Sequence, residues 1–274
     1  MTKVLNLDYE YFPRVRYGKD SPHRLLREIL ARGDRRYAAL LGRFAALKDR
    51  LAAIPVRGEA SSTEPSWYNG WIPGLDSMSI YCLLALRNPP TYLEVGSGNS
   101  TKFARRAIRD FGLRTRIVSI DPCPRADINA LCDTVVRAPF EDADPSVYRN
   151  LEPGSLVFVD NSHRSFQNSD VTVFFLEMLP GLPEGVTVGL HDILLPYDYP
   201  QAWVEQERFY NEQYLLAAFL LGGCRGYEVT LPCHYAFHTP EVFRAIAPVM
   251  QAPELEGIEP HGSSFWMTRT GEAL

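Results

Sequence analysis

The sequence has few cysteines, and no two of them have the spacing of a metal or redox motif. Its cysteines number five and stand at positions 82, 123, 132, 224 and 233. No pair is separated by two residues, which argues against a zinc ribbon and against a CxxC redox centre. Because the number is odd and several lie in apolar stretches, the sequence predicts reduced, structural thiols rather than a disulfide framework.

Long apolar runs and an excess of positive charge are also missing. No apolar segment approaches the ~18 residues that cross a bilayer, and the N-terminus has no apolar signal core. The net charge of the 274 residues is −5, which disfavours nucleic acid as a partner. We therefore expect a cytoplasmic protein that binds neither membrane nor nucleic acid.

The first 60 residues differ from the rest in charge and in pattern. They carry 13 Lys and Arg against 7 Asp and Glu, although the whole chain is acidic. Ser21-Pro22 is typical of a helix start, and apolar residues follow at helical spacing as far as Ile54. The pattern predicts a helical arm and linker over residues 1–65. It would pack on the main domain, residues 66–274, or on a second subunit of a homo-oligomer.

From residue 91 onwards, strand and helix patterns alternate. Short apolar, β-branched runs occur at 92–95, 117–120, 156–159 and 186–190, with further strands expected at 134–137, 227–231 and 264–268. Helical patterns lie between them at 101–111, 166–179 and 203–221. This order predicts a doubly wound, mostly parallel seven-stranded α/β sheet with right-handed crossovers.

The first predicted strand ends in the turn Glu94-Val95-Gly96-Ser97-Gly98-Asn99-Ser100. Glycines here allow the backbone to turn sharply and to approach a ligand closely. The following helix start offers free N–H groups to an anion. From these residues alone, a cradle for a nucleotide or carboxylate and a tight turn without a ligand both remain open.

Three further features narrow the choice of ligand. Glu94 suits a positively charged group, such as the ammonium of an amino acid. Thr101 occupies the position of the third glycine in the dinucleotide fingerprint. Asp121 ends the next strand, 25 residues after Gly96, where a carboxylate can accept both hydroxyls of a ribose. An adenosine joined to an amino acid moiety, as in S-adenosylmethionine, fits this combination better than NAD does.

These segments resemble the Rossmann-like class I methyltransferases, and among them bacterial members with a strand-end Asp-x-x-His and a later His-Asp pair. The resemblance rests on residues 92–101, 119–121, 158–163 and 190–193 and extends over roughly residues 65–270. It implies a Rossmann-like sheet and S-adenosylmethionine as the cofactor. It also implies a cofactor site formed by Glu94, Gly96, Ser97, Gly98, Asn99, Ser100, Asp121, Glu141, Asp142 and Asp160.

A second group of polar residues follows the fourth and fifth predicted strands: Asp160, His163, His191 and Asp192. Three interpretations stay open. Asp160, His191 and Asp192 could bind a divalent metal ion such as Mg²⁺, although related metal-dependent enzymes have another acid where this chain has His191. Alternatively, His163 or His191 is a general base oriented by Asp160 or Asp192. In the third interpretation, these groups only cap strands and loops.

The sequence thus predicts a methyltransferase that acts on a hydroxyl or amine of a small molecule, with His163, His191 and Asp160 as catalytic candidates. Aromatic and polar residues at 197–211 directly follow the fifth strand, where loops commonly shape the acceptor pocket. Packing of the 203–221 helix on the sheet is the other interpretation, and it is the one we expect for Trp203. The alternatives are an NAD-dependent oxidoreductase and a non-catalytic scaffold with a cofactor-binding fold.

Overall fold

The structure, a computed structural model, describes residues 8–59, 61–124 and 127–271. The first seven residues of the predicted arm and the last three of the predicted main domain lie outside the described residues, as do residues 60, 125 and 126. All residues proposed for the cofactor, metal and catalytic sites lie within the described ranges.

A seven-stranded sheet forms the centre of the molecule, with strand order β3-β2-β1-β4-β5-β7-β6. Strands β1 to β5 pair in parallel, and β7 runs antiparallel to both of its neighbours. The predicted mostly parallel, Rossmann-like α/β fold is therefore confirmed. The strands are β1 Thr91–Val95, β2 Arg116–Ile120, β3 Thr134–Val136, β4 Leu156–Val159, β5 Thr187–Leu190, β6 Tyr227–Pro232 and β7 Phe265–Arg269.

Backbone hydrogen bonds continue beyond the carboxyl ends of the central strands. The Gly96 amide donates to the carbonyl of Ile120 at 2.9 Å, and the Asp160 amide donates to that of Val95 at 2.8 Å. The His191 amide donates to the carbonyl of Val159 at 2.9 Å. These bonds fix the first residue after each strand, so the turn at Gly96, Asp160 and His191 meet at one edge of the sheet.

Helices surround the sheet, and none within the described ranges combines the length and apolar character needed to cross a membrane. The first begins at Arg24 rather than at Ser21-Pro22, because His23 caps it by accepting a hydrogen bond from the Leu26 amide. The helices are α1 Arg24–Ala31, α2 Asp34–Ala45, α3 Lys48–Ala52, α4 Gly74–Arg87, α5 Asn99–Phe111, α6 Ser146–Arg149, α7 Asp170–Val173, α8 Leu179–Gly181, α9 Gln201–Glu205, α10 Glu212–Leu221, α11 Cys233–Phe237, α12 Pro240–Phe243 and α13 Ala247–Met250.

The single helix predicted over 203–221 is wrong. Helix α9 ends at Glu205 and α10 begins at Glu212. Glu207 and Phe209 between them have φ angles of 54° and 52°, which a right-handed helix does not accommodate. The helix predicted over 166–179 likewise begins later, at Asp170, and contains a π-helical turn at Phe174–Met178. The break before α10 brings its first turn to the loop after β4.

The N-terminal helices pack on the sheet domain. Helix α1 contacts α10, and α2 contacts β6, α4 and α12. The buried side chains of the arm, among them Leu30, Leu41 and Phe44, belong to the same hydrophobic core as the sheet. The division of the chain at residue 65 stays a prediction.

Helix α4 was not predicted from the sequence, although it is central to the site. Its residues from Gly74 to Leu84 are all buried, so its apolar residues are spread around the helix and form no one-sided stripe. Asp76 lies in its first turn and is fully buried. An acid in this position requires partners inside the protein.

The close approach of Gly96 to β4 permits a direct test. Gly96 has a φ of 80°, and a Cβ there would lie 1.8 Å from the backbone oxygen of Asp160. We expect Gly96→Ala to lower the free energy of unfolding by about 2–4 kcal/mol in urea titrations. Gly42→Ala is the matched control. It lies in α2 with no atom within 4 Å of the added Cβ and should stabilise the protein by about 0.5–1 kcal/mol. Equal stability of both variants would contradict this close approach.

Candidate active site

The turn after β1 is joined to the end of β2 through the carboxylate of Asp121. Its Oδ2 accepts a hydrogen bond from the Ser97 amide at 2.8 Å, and its Oδ1 accepts one from the Cys123 amide at 2.7 Å. Each carboxylate oxygen can accept more than one hydrogen bond. Asp121 therefore holds the turn in place and keeps acceptor capacity toward the cavity that it lines.

Glu94 is fully buried below this turn. It accepts hydrogen bonds from the hydroxyls of Tyr92, at 2.6 Å, and Thr101. Burial raises the pKa of Glu94 to about 7. The Thr101 hydroxyl oxygen also accepts a hydrogen bond from the Gly98 amide at 3.2 Å. Glu94 thus connects β1 to the start of α5, and Thr101 has a structural reason to stand where a third glycine would be.

A cavity of about 1050 Å³ opens at the carboxyl ends of the central strands. A smaller one of about 350 Å³ adjoins it beside the start of α5. Two predicted cofactor residues, Glu94 and Asp142, are not among the described residues that line these cavities. The other predicted cofactor residues line one or both cavities: Gly96, Ser97, Gly98, Asn99, Ser100, Asp121, Glu141 and Asp160.

Asp160, His163, His191 and Asp192 come together at the same edge and are called here the Asp160 cluster. Oδ1 of Asp160 lies 3.3 Å from Nε2 of His163 and 3.4 Å from Nδ1 of His191. Each of these two nitrogens is 3.7 Å from an oxygen of Asp192. The sequence-based expectation that these four side chains lie close together agrees with this geometry.

Two buried carboxylates, which sequence reasoning missed, face the opposite sides of the two rings. Glu212 of α10 contacts Nδ1 of His163, and Asp76 of α4 lies 3.4 Å from Nε2 of His191. Both acids are at most 1% exposed. Each imidazole is therefore held between a fully buried acid on one side and the carboxylate of Asp160 on the other. The signal that could have identified them is an acid within an otherwise apolar helix, because unpaired acids are rarely buried.

The backbone at the site is strained. His163 and Asp192 have φ angles of 59° and 54°, a region that costs a non-glycine residue roughly 1–2 kcal/mol. The carbonyl of His163 accepts a hydrogen bond from the Asn211 amide at 2.9 Å, in the segment that breaks the predicted helix. The surrounding contacts hold His163 in this conformation, which is common at functional sites.

The charges within the Asp160 cluster shift the pKa values of its members. Burial by itself would lower the pKa of His163 and of His191, but adjacent carboxylates raise both pKa values well above the ordinary value. Burial would raise the pKa of Asp160, but the two imidazoles hold it well below its usual range. The arrangement favours positive charge between the carboxylates. A proton on each imidazole can supply that charge, and so can a bound cation.

One group of the described residues has the geometry of a metal site. Ligand atoms of Asp160, His163 and His191 lie within 4.8 Å of one another. His163 thus takes the place that the sequence-based hypothesis gave to Asp192. Nδ1 of His191 is buried, and its 3.4 Å contact with Oδ1 of Asp160 lacks hydrogen-bond geometry, whereas buried polar atoms are normally hydrogen-bonded. These residues are compatible with a bound cation.

The central strands of the sheet match a family model. A parallel sheet with an antiparallel β7 and a glycine turn after β1 is the architecture that the resemblance implied. Residues 93–193, from β1 to just beyond β5, match a family described as a methyltransferase domain. This part of the chain is therefore similar to a methyltransferase domain, and its sheet has the architecture expected for one.

Two of the solved structures to which this chain is similar are the following. One is the SAH-bound methyltransferase PaMTH1 from Podospora anserina, with 16% identity, 67% of this chain and 81% of that chain covered, and a TM-score of 0.41. The other is the mycolic acid cyclopropane synthase CmaA1 complexed with SAH and CTAB, with 17% identity, 85% and 96% covered, and a TM-score of 0.35. No curated protein matches the sequence. Sequence identities as low as these do not identify the substrate of this chain.

The buried acid on α4 permits a test of the charge arrangement. Burial would raise the pKa of Asp76, but His191 and hydrogen bonds from Ser263 and Ser264 lower it below its ordinary value. The stability that this pairing contributes is therefore complete above the ordinary pKa of about 4 and is lost as the pH falls. We expect Asp76→Asn to lower the free energy of unfolding by about 3–5 kcal/mol at pH 7.

This deficit should shrink as the pH falls below about 4, because the wild-type protein then loses the same stabilisation. Urea unfolding between pH 7 and pH 3 measures both quantities. Asp20→Asn, at an exposed position, is the control and should change stability by less than about 0.5 kcal/mol. A deficit that does not depend on pH would contradict a charged Asp76.

Proposed function

We propose that this chain transfers a methyl group from S-adenosylmethionine to a hydroxyl, or to an amine, of a small molecule. The observation that carries the proposal is one cavity lined both by the Gly96 turn with Asp121 and by the Asp160 cluster. Its volume of about 1050 Å³ is at the upper end of ligand pockets. It therefore has room for a nucleoside-sized cofactor beside a second small molecule.

The residues on one side of the cavity fit the cofactor. The free acceptor capacity of Asp121 suits the two ribose hydroxyls, and Phe140 and Glu141 line the part of the cavity proposed for the adenine. Backbone groups from Ser97 to Ser100 line the adjoining cavity, which suits the amino acid end. When bound, S-adenosylmethionine supplies a methyl group that its sulfonium already activates. The protein has to orient the acceptor and receive its proton.

His163 is the residue that we propose as the proton acceptor. Its Nδ1 is held by Glu212, so the ring is fixed and Nε2 points toward Asp160 at the cavity. The neutral form of an imidazole oriented by a buried carboxylate on one nitrogen can accept a proton on the other. The positive charge of a bound sulfonium beside the cluster favours this neutral form of His163. Asp160 and Asp192 stabilise the imidazolium that results. His191 is held in the same way by Asp76 and supports the position of Asp160.

A metal-dependent variant of the same function is the second candidate. It is favoured by Nδ1 of His191, which faces Asp160 at 3.4 Å without a hydrogen bond, and by the converging ligand atoms of Asp160, His163 and His191. Two imidazole nitrogens and one carboxylate oxygen suit a transition metal better than Mg²⁺. In this variant, Glu212 and Asp76 orient the ligating rings, as carboxylates behind metal-bound histidines do. The ion would lower the pKa of the acceptor hydroxyl.

Calorimetry tests the cofactor part of the proposal. We expect the purified protein to bind S-adenosylmethionine and S-adenosylhomocysteine, and not NAD. Asp121→Asn keeps the shape of the side chain but removes its charge, so it should weaken cofactor binding by about 1–3 kcal/mol. Asp127→Asn, exposed on the same loop, should leave the affinity unchanged. Binding of NAD alone would refute the proposal and favour the oxidoreductase alternative.

Titration with Mn²⁺, Zn²⁺ and Mg²⁺ separates the two mechanisms. If the site holds a metal, His163→Gln and His191→Gln should each abolish stoichiometric binding, and Glu212→Gln should weaken it by about 10- to 100-fold. His238→Gln removes an imidazole of the cavity wall outside the cluster and serves as the control. Turnover that survives exhaustive chelation unchanged would exclude the metal and leave His163 as the base.

Two further expectations stay predictions. The composition favours a cytoplasmic location. The basic surface of the N-terminal helices is the candidate for self-association into a homo-oligomer. Size measurement in solution of the wild-type protein and of a variant with Arg32→Glu and Arg35→Glu, two exposed positions on these helices, addresses the second point.

A further inference from the structure

An aromatic wall formed by Trp203 and Tyr210 continues the cavity beyond the Asp160 cluster. The ring centroid of Tyr210 lies 4.5 Å from that of His163. The ring of Trp203 lies 5.5 Å from that of Tyr210. The wall therefore begins at the proposed proton acceptor and extends away from it along α9 and the segment that follows. A ligand on this wall would be within reach of His163.

Two arginines stack on the aromatic wall and also line the cavity. The guanidinium carbon of Arg164 lies 5.0 Å from the ring centroid of Tyr210. That of Arg208 lies 4.5 Å from the ring centroid of Trp203. Stacking restrains the plane of a guanidinium and leaves the N–H groups at its edge available.

Neither arginine has a carboxylate partner within the described ranges. The guanidinium of Arg164 donates to the carbonyl of Ser162 at 2.9 Å, and that of Arg208 donates to the side-chain oxygen of Gln206 at 2.8 Å. A guanidinium has five N–H donors. Most donors of both side chains are therefore free to bind a ligand, and both positive charges are uncompensated.

The acids near the same part of the cavity do have partners. Asp160 and Asp192 face the imidazoles of the cluster. Asp170 accepts hydrogen bonds from the backbone and the hydroxyl of Ser162, and Glu259 lies 3.5 Å from a nitrogen of His261. These acids have their own interactions, so they leave the guanidiniums of Arg164 and Arg208 available to an anionic ligand in the cavity.

We propose that Arg164 and Arg208 form an anion subsite, and that the methyl acceptor carries a carboxylate or phosphate which these residues bind. This inference rests on the proposed function, because it names the class of acceptor for the same site. Planar, bidentate recognition of such anions is characteristic of arginine. The aromatic faces beside the guanidiniums suit a planar body between the anionic group and the reacting hydroxyl.

The spacing also limits the size of the acceptor. One aromatic ring separates His163 from Arg164, and two rings separate His163 from Arg208. These successive contacts set an upper limit on the distance from His163 to each guanidinium, so the anionic group would lie within about two ring lengths of the reacting hydroxyl. A hydroxylated aromatic acid or an aromatic phosphate ester of one or two rings meets this condition.

Calorimetry with matched probes tests the subsite. The probes are 4-hydroxybenzoate and phenyl phosphate as anions, with 4-hydroxybenzamide as the neutral counterpart of the first, each titrated into protein saturated with S-adenosylhomocysteine. We expect at least one anion to bind about tenfold more tightly than the amide. Arg164→Gln and Arg208→Gln should each remove most of this preference and leave the binding of the amide unchanged. Using both anions distinguishes a carboxylate subsite from a phosphate subsite.

Two control variants make the result specific. Arg225→Gln removes the same charge at an exposed position outside the cavity lining and should bind the probes as the wild-type protein does. Arg208→Lys keeps the charge but loses the planar fork, so an intermediate affinity is expected. Equal binding of anions and amide would overturn the proposal. So would an absence of anion binding, or an equal loss in Arg225→Gln.

The experiment separates this proposal from the proposed function. Affinity for S-adenosylhomocysteine is measured in the same samples, and neither arginine substitution should change it by more than about twofold. If S-adenosylhomocysteine fails to bind, the methyltransferase proposal is refuted. The anion titration is then repeated without S-adenosylhomocysteine, and its result tests the anion subsite independently. If S-adenosylhomocysteine binds but the anions do not, only the anion subsite is refuted.

Discussion

The carboxylate of Asp160 lies between two buried imidazoles, and the site depends on this compensation of charge. The two imidazoles are buried and costly to charge unless they are paired, and a single oxygen of the partly exposed Asp160 approaches both His163 and His191 within 3.4 Å. Glu212 and Asp76 then fix the other side of each ring. The cluster therefore couples β4 and β5 to α10 and α4, and the arrangement is favourable only when all four elements are in place.

The residues after β1, β4 and β5 lie at one edge of the sheet, so a methyl donor and an acceptor bound to them would lie next to each other. Backbone hydrogen bonds fix the residues after β1, β4 and β5 in a row, and Gly96 lets the first turn pass directly against the backbone of Asp160. The proposed cofactor side and the proposed proton acceptor are consequently walls of one cavity. The arginines on Trp203 and Tyr210 extend that cavity on the acceptor side.

Much of this architecture was predictable because its signals are local. Apolar runs of strand length, the glycine turn and a strand-end Asp121 are each readable within a few residues, and the order of elements then implies the parallel sheet. The convergence of Asp160 with His191 followed from the rule that neighbouring parallel strands end at one edge. The single helix over 203–221 was wrong because the two positive φ angles that interrupt it occur at Glu207 and Phe209, residues that do not indicate a break.

The sequence by itself determined the sheet, the turn and the position of the site, since hydrophobic period and glycine placement act over short distances along the chain. Only the tertiary structure decided which groups control the chemistry. Asp76 and His191 are far apart in sequence, as are His163 and Glu212, and no local pattern pairs them. Their contacts depend on how α4 and α10 pack against the sheet. The packing of apolar helix faces places these acids, and the cost of burying an unpaired charge then selects their histidine partners.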